Sequence, residues 1–355
     1  MSQASPRSHT VGLVAKNLPL DYNQAMNWDM LGHEWAVNLL REHVANGQLR
    51  HAYLLTGPQG VGRRTLALRL AQALNCNQPP APGEPCRACR DCIQIERIQH
   101  PDLTVVQAEQ EGGTLKVDQV RELQHGLALA PYQARYRVAL LLRFEESHPS
   151  AANALLKTLE EPPDQVVLIL TAGSSESLLP TITSRCEVLR LRPLPLEVLK
   201  DGLLTRWRVP VEQATLLASL AGGRPGYALR LFEQPELMAQ RQAYLDALSE
   251  LVGVSRTQRF AYINDLTKDK DKAKENIRQM LLAWLPFWRD VLLRAAGSTV
   301  PMANIDRDES IRELATRLGL DSARQAVTAI ERTLDLLDKN VNTRLAAEVL
   351  MLDLP

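Results

Sequence analysis

The first half of the chain alternates short apolar runs with segments of helical periodicity. Apolar runs predict strands at four places, residues 53–56, 103–106, 138–142 and 166–170. Helical spacing predicts helices over residues 32–46, 65–74, 117–127 and 150–159. The runs at 138–142 and 166–170 are apolar throughout, which is typical of strands covered on both faces of a parallel sheet. Strands that alternate with helices predict an α/β domain with a parallel sheet.

Beyond residue 193 the pattern becomes wholly helical. Strand-like runs stop, and two apolar stripes predict the core of a helix bundle. The stripes are formed by Leu245, Leu248 and Val252, and by Leu334, Leu337, Val341 and Leu345. The change of pattern predicts a loose polar arm over 1–25, an α/β domain over 26–193 and a helical region over 194–355.

A glycine-rich loop follows the first predicted strand. Residues 57–65 read Gly-Pro-Gln-Gly-Val-Gly-Arg-Arg-Thr, in the strand–loop–helix order of a phosphate-binding loop. Such a loop needs a lysine on the terminal phosphates and a hydroxyl on Mg²⁺, but Arg63 and Arg64 stand at these positions. The candidate nucleotide-binding residues are Gly57, Gly60, Gly62, Arg63 and Thr65. The sequence leaves open whether they hold a nucleotide or form only a glycine turn.

A second Mg²⁺ function is missing at the end of the strand predicted over 138–142. In an ATPase, an acidic residue at this point holds the metal. Leu142 stands at that position, and Arg143 stands at the position of the catalytic glutamate. Glu145 and Glu146 follow too late in the chain to replace them, and we expect their side chains to be solvated. Loss of two metal functions predicts a chain that does not hydrolyse ATP.

Four of the five cysteines are confined to one short segment. Cys76, Cys86, Cys89 and Cys92 have the spacing C-x9-C-x2-C-x2-C, and Cys186 lies elsewhere. Two Cys-x-x-Cys steps beside a fourth thiol suit tetrahedral Zn²⁺. Four sulfur ligands leave no open coordination position, so we expect a structural zinc site. The alternative is four free surface thiols.

Composition excludes some functional classes. The 41 basic and 41 acidic side chains cancel, so the whole molecule does not present a cationic surface to nucleic acid. No apolar run reaches the roughly 20 residues that span a bilayer. The first residues lack a basic segment followed by an apolar core, so no secretory signal is expected.

Residues 28–161 resemble the AAA+ module of bacterial clamp-loader subunits. The resemblance is carried by residues 51–58, the four-cysteine insert, His100-Pro101-Asp102 and the run Ala-Asn-Ala-Leu-Leu-Lys-Thr-Leu-Glu-Glu-Pro-Pro over 152–163. Ser184-Arg185-Cys186 matches a signature of the gamma/tau and delta-prime subunits, and residues 340–345 are similar to their collar domain. The resemblance implies an α/β P-loop (AAA+) domain with a zinc-binding insert at 76–92, a helical lid over 194–234 and an all-α collar over 235–355.

The resemblance also implies a division of roles. In this family the arginine at the position of Arg185 is a finger that reaches into the ATP site of a neighbouring subunit. Subunits of the delta-prime type keep the fold, the zinc site and this arginine while losing the ATPase residues. Gly226 stands where an ATPase subunit carries a further arginine, and Arg224 lies two positions earlier. The broken motifs therefore match the delta-prime type.

A non-catalytic component of the DNA polymerase III holoenzyme is thus implied. Its implied partners are gamma/tau and delta subunits, with the sliding clamp and primed DNA reached through the complex. The implied location is the bacterial cytoplasm, at the nucleoid-associated replisome and not at a membrane. The implied cofactor is structural zinc, and ATP is not hydrolysed.

Four alternatives stay open at this level. The chain is a divergent gamma/tau-type ATPase that uses Arg63 and a displaced acid, or a nucleic-acid-binding zinc module on a vestigial NTPase fold. A third alternative is a structural scaffold that supplies no arginine finger. Arg185 itself has a plain alternative, an ion pair with a nearby carboxylate such as Glu187.

Overall fold

The computed structural model describes residues 28–110, 112–339 and 341–355. The predicted arm over 1–25 lies outside the described residues. No helix in the described ranges is long and apolar enough to cross a membrane.

Five parallel strands form one sheet in the order β2-β3-β4-β1-β5. The strands are β1 Ala52–Thr56, β2 Leu103–Val106, β3 Arg137–Leu141, β4 Val166–Ala172 and β5 Glu187–Arg190. From β1 the chain crosses to β2 at one edge of the sheet, steps back through β3 to β4 beside β1, and then crosses β1 to form β5 at the other edge. The carboxyl ends of β1 and β4 therefore meet where the direction reverses, which is the usual ligand position in an open α/β sheet.

Helices cover both faces of the sheet. They are α1 Glu34–Ala45, α2 Arg63–Asn75, α3 Arg90–Glu96, α4 Val117–Leu127, α5 Pro149–Glu160 and the short α6 Pro180–Thr183. Along β3, Val138 and Leu140 pack in a core with residues of α1 and α2. Ala139 and Leu141 pack in a second core with residues of α4 and α5. Because both faces are buried, this strand carries no polar alternation.

The rest of the described chain is helical. Two separate apolar cores form there, one around Leu199 and Leu217 and a larger one around Trp284 and Trp288. The helices are α7 Leu196–Thr205, α8 Val211–Ala221, α9 Pro225–Glu233, α10 Pro235–Leu251, α11 Arg256–Leu266, α12 Lys270–Ala295, α13 Asp308–Asp338 and α14 Thr343–Asp353. The predicted fold class, an α/β P-loop unit followed by helices, is confirmed. The boundaries at 193/194 and 234/235 stay a prediction.

One predicted stripe is wrong. It assumed a single helix through Leu334 and Leu345, but α13 ends at Asp338 and α14 begins at Thr343. The side chain of Asn342 accepts a hydrogen bond from the backbone N–H of Leu345 and starts the new helix. The break turns Leu345 outward, and its side chain is 56% exposed.

The buried carboxylate of Asp102 fastens the loop between α4 and β3. It accepts hydrogen bonds from the backbone N–H groups of Tyr132, Gln133 and Ala134 at 2.7, 2.9 and 3.0 Å. Nη2 of Arg137 lies 3.2 Å from the same carboxylate. Burial raises the pKa of Asp102, but these donors outweigh burial and hold the pKa below its ordinary value of 3.8.

We expect Asp102→Asn to reduce the free energy of unfolding by about 3 kcal/mol at neutral pH, because it leaves the Arg137 charge unpaired. The folded pKa lies below the unfolded one, so the carboxylate stabilises the protein above the unfolded pKa and loses this effect as pH falls through the folded pKa. Urea unfolding of both proteins at neutral pH and at about pH 3 checks the sign, since the difference must shrink in acid. A difference that stays constant with pH contradicts this role. The exposed Asp118→Asn serves as the control.

Candidate functional site

The glycine loop lies at the carboxyl end of β1, as predicted. The backbone N–H of Gly57 lies 3.2 Å from the Ala172 carbonyl and 3.1 Å from that of Gly173, which fixes the loop to the end of β4. Gly57 has φ +142°, and a Cβ there would lie 2.3 Å from the Leu191 carbonyl oxygen, so only glycine fits. Gly62 has φ +116° and precedes α2 directly. The first backbone N–H groups of α2 therefore point out of the helix beside the loop.

The two arginines at the start of α2 differ in burial: Arg63 is buried and Arg64 is exposed. The Arg63 side chain is only 9% exposed, and its Nη1 lies 4.0 Å from Oε1 of Glu145. Arg64 and Thr65 are exposed on the first turn of α2. Burial lowers the pKa of Arg63, the nearby Glu145 opposes that shift, and Arg143 adds to it. A cation remains at the lysine position, but Arg64 offers no oxygen to a metal.

Glu145 is exposed, as expected, whereas Glu146 is half-buried, and both carboxylates have partners within the chain. Oε1 of Glu145 accepts a hydrogen bond of 2.9 Å from the backbone N–H of Gly173 and faces Arg63. Glu146 accepts one of 3.0 Å from Nε of Arg143. Both glutamates lie in the turn Phe144–Glu146. The contact of Glu146 with Arg143 is local, but sequence spacing alone carries no signal for the long-range contacts of Glu145 with Gly173 and Arg63.

The metal-ligand position at the end of β3 is apolar in space as well. Leu142 is 7% exposed and belongs to the core beneath the sheet. Arg143 follows with φ +49°, held by a 2.9 Å hydrogen bond from its N–H to Oγ1 of Thr171. Neither residue offers an oxygen ligand through its side chain.

The helix that follows Arg224 rests directly on the glycine loop. The backbone N–H of Gly226 donates a 2.8 Å hydrogen bond to the Gly60 carbonyl. A Cβ on Gly60 would lie 2.8 Å from the backbone nitrogen of Tyr227. Nε of Arg224 donates to the Ala221 carbonyl, and its guanidinium stacks 4.5 Å from the centre of the Tyr227 ring. Arg224 is thus engaged within its own helical segment.

These residues fit a nucleotide poorly. The loop keeps the glycines and the helix start of a phosphate cradle. The side chains at the two Mg²⁺ positions, Arg64 and Leu142, cannot ligate a metal, and Glu145 places a negative charge beside Arg63. The helix start at Gly226 and Tyr227 further narrows the space over Gly60.

The four clustered cysteines converge as the spacing predicts. The sulfurs of Cys76, Cys86, Cys89 and Cys92 all lie within 4.8 Å of one another, and those of Cys86 and Cys92 are 3.9 Å apart. A tetrahedral Zn²⁺ with bonds of about 2.3 Å separates its sulfur ligands by about 3.8 Å. The cluster can therefore hold a metal ion of that size.

Backbone groups prepare the cluster for a cation. The N–H groups of Cys86 and Cys89 point at the sulfurs of Cys76 and Cys86, both at 3.2 Å. Burial raises the pKa of Cys86, but hydrogen bonds from the Cys89 and Ala88 backbone outweigh burial and lower it to about 7. Burial, as the largest cause, raises the pKa of Cys92.

A polar network behind the cluster was missed by sequence reasoning. Nε2 of Gln72 donates to the Cys92 carbonyl at 2.7 Å and to Glu96 at 2.9 Å. Arg69 binds Gln72, Glu96 and the Trp28 carbonyl. Both α2 side chains are buried, which ties the cysteine-bearing helix α3 to the α/β core. The available signal was two polar residues on the otherwise apolar face of α2.

Arg185 lies on the surface between α6 and β5. Its Nη1 donates a 2.8 Å hydrogen bond to the Thr181 carbonyl, and its Nη2 lies 2.8 Å from Oε1 of Glu160 at the end of α5. The side chain is 35% exposed. The alternative of an ion pair with a nearby carboxylate is therefore what the structure shows, but the partner is Glu160 and not Glu187, which lies 3.6 Å from Nε of Arg50.

Comparison with known proteins places this architecture. Residues 32–195 match a family model described as "DNA polymerase III, delta subunit". DNA polymerase III subunit delta' of Bacillus subtilis (strain 168) is 30% identical over 316 residues, which cover 89% of this chain and 94% of that protein. The chain belongs to the DNA polymerase III delta' family. The predicted resemblance is thereby confirmed.

Two further relatives are a second delta' subunit and a tau subunit. Subunit delta' of Pseudomonas aeruginosa is 37% identical over 225 residues, or 62% of this chain and 67% of that protein. Subunit tau of Escherichia coli (strain K12) is 32% identical over 230 residues, or 63% of this chain but 35% of tau. Identity to delta' and tau is similar, so the residues of the site must separate a non-catalytic chain from an ATPase.

Proposed function

We propose that this chain is a clamp-loader subunit without ATPase activity of its own, which supplies Arg185 to the ATP site of a neighbouring subunit. Its proposed neighbours are the gamma/tau and delta subunits of the DNA polymerase III holoenzyme. It meets the sliding clamp and primed DNA through that complex, in the bacterial cytoplasm at the replisome.

One contrast carries the proposal. At the chain's own loop, Arg64 and Leu142 replace both groups that bind Mg²⁺. At the surface, Arg185 is retained and held by two partners. These side chains provide no ligand for a catalytic metal, but they include an ordered surface arginine. This combination supports a role for the arginine at the nucleotide of a neighbouring subunit.

The chemistry of Arg185 fits that task. A guanidinium has five N–H donors, and the contacts to Thr181 and Glu160 engage one terminal nitrogen each. Donors therefore remain for the oxygens of a bound triphosphate, on which negative charge develops during phosphoryl transfer. The planar fork can bridge two of those oxygens, and the fixed side chain reduces the entropy lost on contact.

Zn²⁺ is the metal we propose for the four cysteines. Four thiolates in a closed tetrahedral set supply rigidity and no chemistry. The ion would join Cys76 at the end of α2 to Cys89 and Cys92 at the start of α3. The connection stabilises a segment that has few apolar residues to bury.

The proposed function is tested by reconstitution. Gamma/tau and delta subunits, clamp and primed DNA are mixed with and without this chain, and clamps retained on circular DNA are counted. We expect loading to fall to background without the chain and to return when it is added. Loading at the full rate without it contradicts the proposal.

A further inference from the structure

At the glycine loop, the guanidinium of Arg63 faces the carboxylate of Glu145. Only 9% of the Arg63 side chain is exposed, and its Nη1 lies 4.0 Å from Oε1 of Glu145. Within the described residues, that Nη1 makes no hydrogen bond. A buried guanidinium requires a counter-charge. Glu145 supplies it, while the backbone N–H of Gly173 holds Oε1 in place at 2.9 Å.

The position of this carboxylate is informative. In a working phosphate loop, the side chain at the position of Arg63 contacts the terminal phosphates. Glu145 lies in the turn after β3, and its hydrogen bond from the N–H of Gly173 holds it at the carboxyl end of β4, to which Gly57 is also hydrogen-bonded. The anion that Arg63 faces is therefore a carboxylate of the protein itself.

A second contact, from helix α9, covers the glycine loop. The start of α9 rests on Gly60 through the 2.8 Å hydrogen bond from Gly226. Tyr227 lies beside it, with the guanidinium groups of Arg224 and Arg230 at 4.5 and 5.3 Å from its ring centre.

We propose that Glu145 stands in for the terminal phosphate of a nucleotide: its carboxylate balances Arg63 and, with α9 on Gly60, keeps the loop in one shape without nucleotide. An incoming phosphate must displace Glu145 or add negative charge beside it, and like charges at this distance repel. This inference is independent of the role of Arg185.

The test uses Glu145→Gln in the full chain, with thermal unfolding followed with and without about 5 mM ATP in EDTA. We expect the variant to unfold at least about 3 °C below the wild type, because Arg63 loses its counter-charge. We expect ATP to raise the variant's Tm by about 3 °C, as an anion binding the folded state does, and to leave the wild type unchanged.

Two controls isolate the pairing. Glu146→Gln removes the adjacent carboxylate, which binds Arg143 and not Arg63, so it must gain no response to ATP. The double variant Arg63→Gln/Glu145→Gln removes both charges and must recover Tm without responding to ATP. If Glu145→Gln cannot be purified folded, recovery by the double variant supports the pairing, and its failure counts against it. An ATP shift in the wild type equal to that of Glu145→Gln, or no ATP shift in Glu145→Gln, overturns the proposal.

Discussion

We expect Arg185→Ala to abolish most of the ATP turnover at the neighbouring site that we propose this chain completes. An arginine supplied in trans to a phosphoryl-transfer site contributes about 10³-fold or more to kcat. We therefore expect DNA-stimulated ATPase of the reconstituted complex to fall to the level that its other sites sustain. The loss appears in kcat, because the guanidinium acts on charge that develops in the transition state.

The controls for this variant separate charge, geometry and folding. Arg185→Lys keeps a cation but loses the planar fork, and we expect it to restore only a small part of the activity. Arg190→Ala removes another exposed arginine three positions past Glu187, paired at 3.6 Å with Glu176, and must leave turnover unchanged. Size-exclusion chromatography must show normal assembly for all three. Wild-type turnover by Arg185→Ala in an assembled complex rejects the finger.

We expect removal of the proposed Zn²⁺ to unfold the segment around the four cysteines. We expect one Zn²⁺ per chain in the purified protein, and loss of that ion in Cys92→Ser, because three thiolates no longer close the tetrahedron. Structural zinc sites contribute directly to folding. We expect a cost of at least about 3 kcal/mol, which lowers Tm by about 6 °C or more. Hydrogen exchange must rise over residues 76–96.

Cys186→Ser is the matched control for the zinc site. Cys186 lies outside the group of sulfurs that converge, so it cannot share a metal ion with them, and burial raises its pKa to about 12. This variant must keep its zinc and its Tm within about 2 °C. Zinc loss equal to that of Cys92→Ser, or wild-type protein without zinc, contradicts the structural site.

Much of the fold could be predicted because its signals are local. The apolar runs of β3 and β4 and the glycines before α2 each identify an element from adjacent residues. The strand β5 was missed, since Glu187–Arg190 is short and ends in charged residues. Its strand character comes from pairing with β1, which only the folded sheet provides.

In the candidate site too, the local features could be predicted and the long-range contacts could not. The cysteine spacing, the arginines of the loop and the loss of an acid at Leu142 are all visible in the sequence. The partners are not visible, because Glu145 reaches Arg63 and Glu160 reaches Arg185 from distant elements. The contact of Gly226 with Gly60 is likewise a product of packing between helices and loop.

Steady-state ATP turnover, measured side by side on three samples, tests the central claim most directly. The samples are the isolated chain with Mg²⁺-ATP, the complete complex on primed DNA and the same complex with Arg185→Ala. We predict no turnover by the isolated chain, full turnover by the complex and a large loss in the variant complex. Turnover by the isolated chain, or equal rates for the two complexes, contradicts a subunit that has lost its own ATP chemistry and completes that of its neighbour.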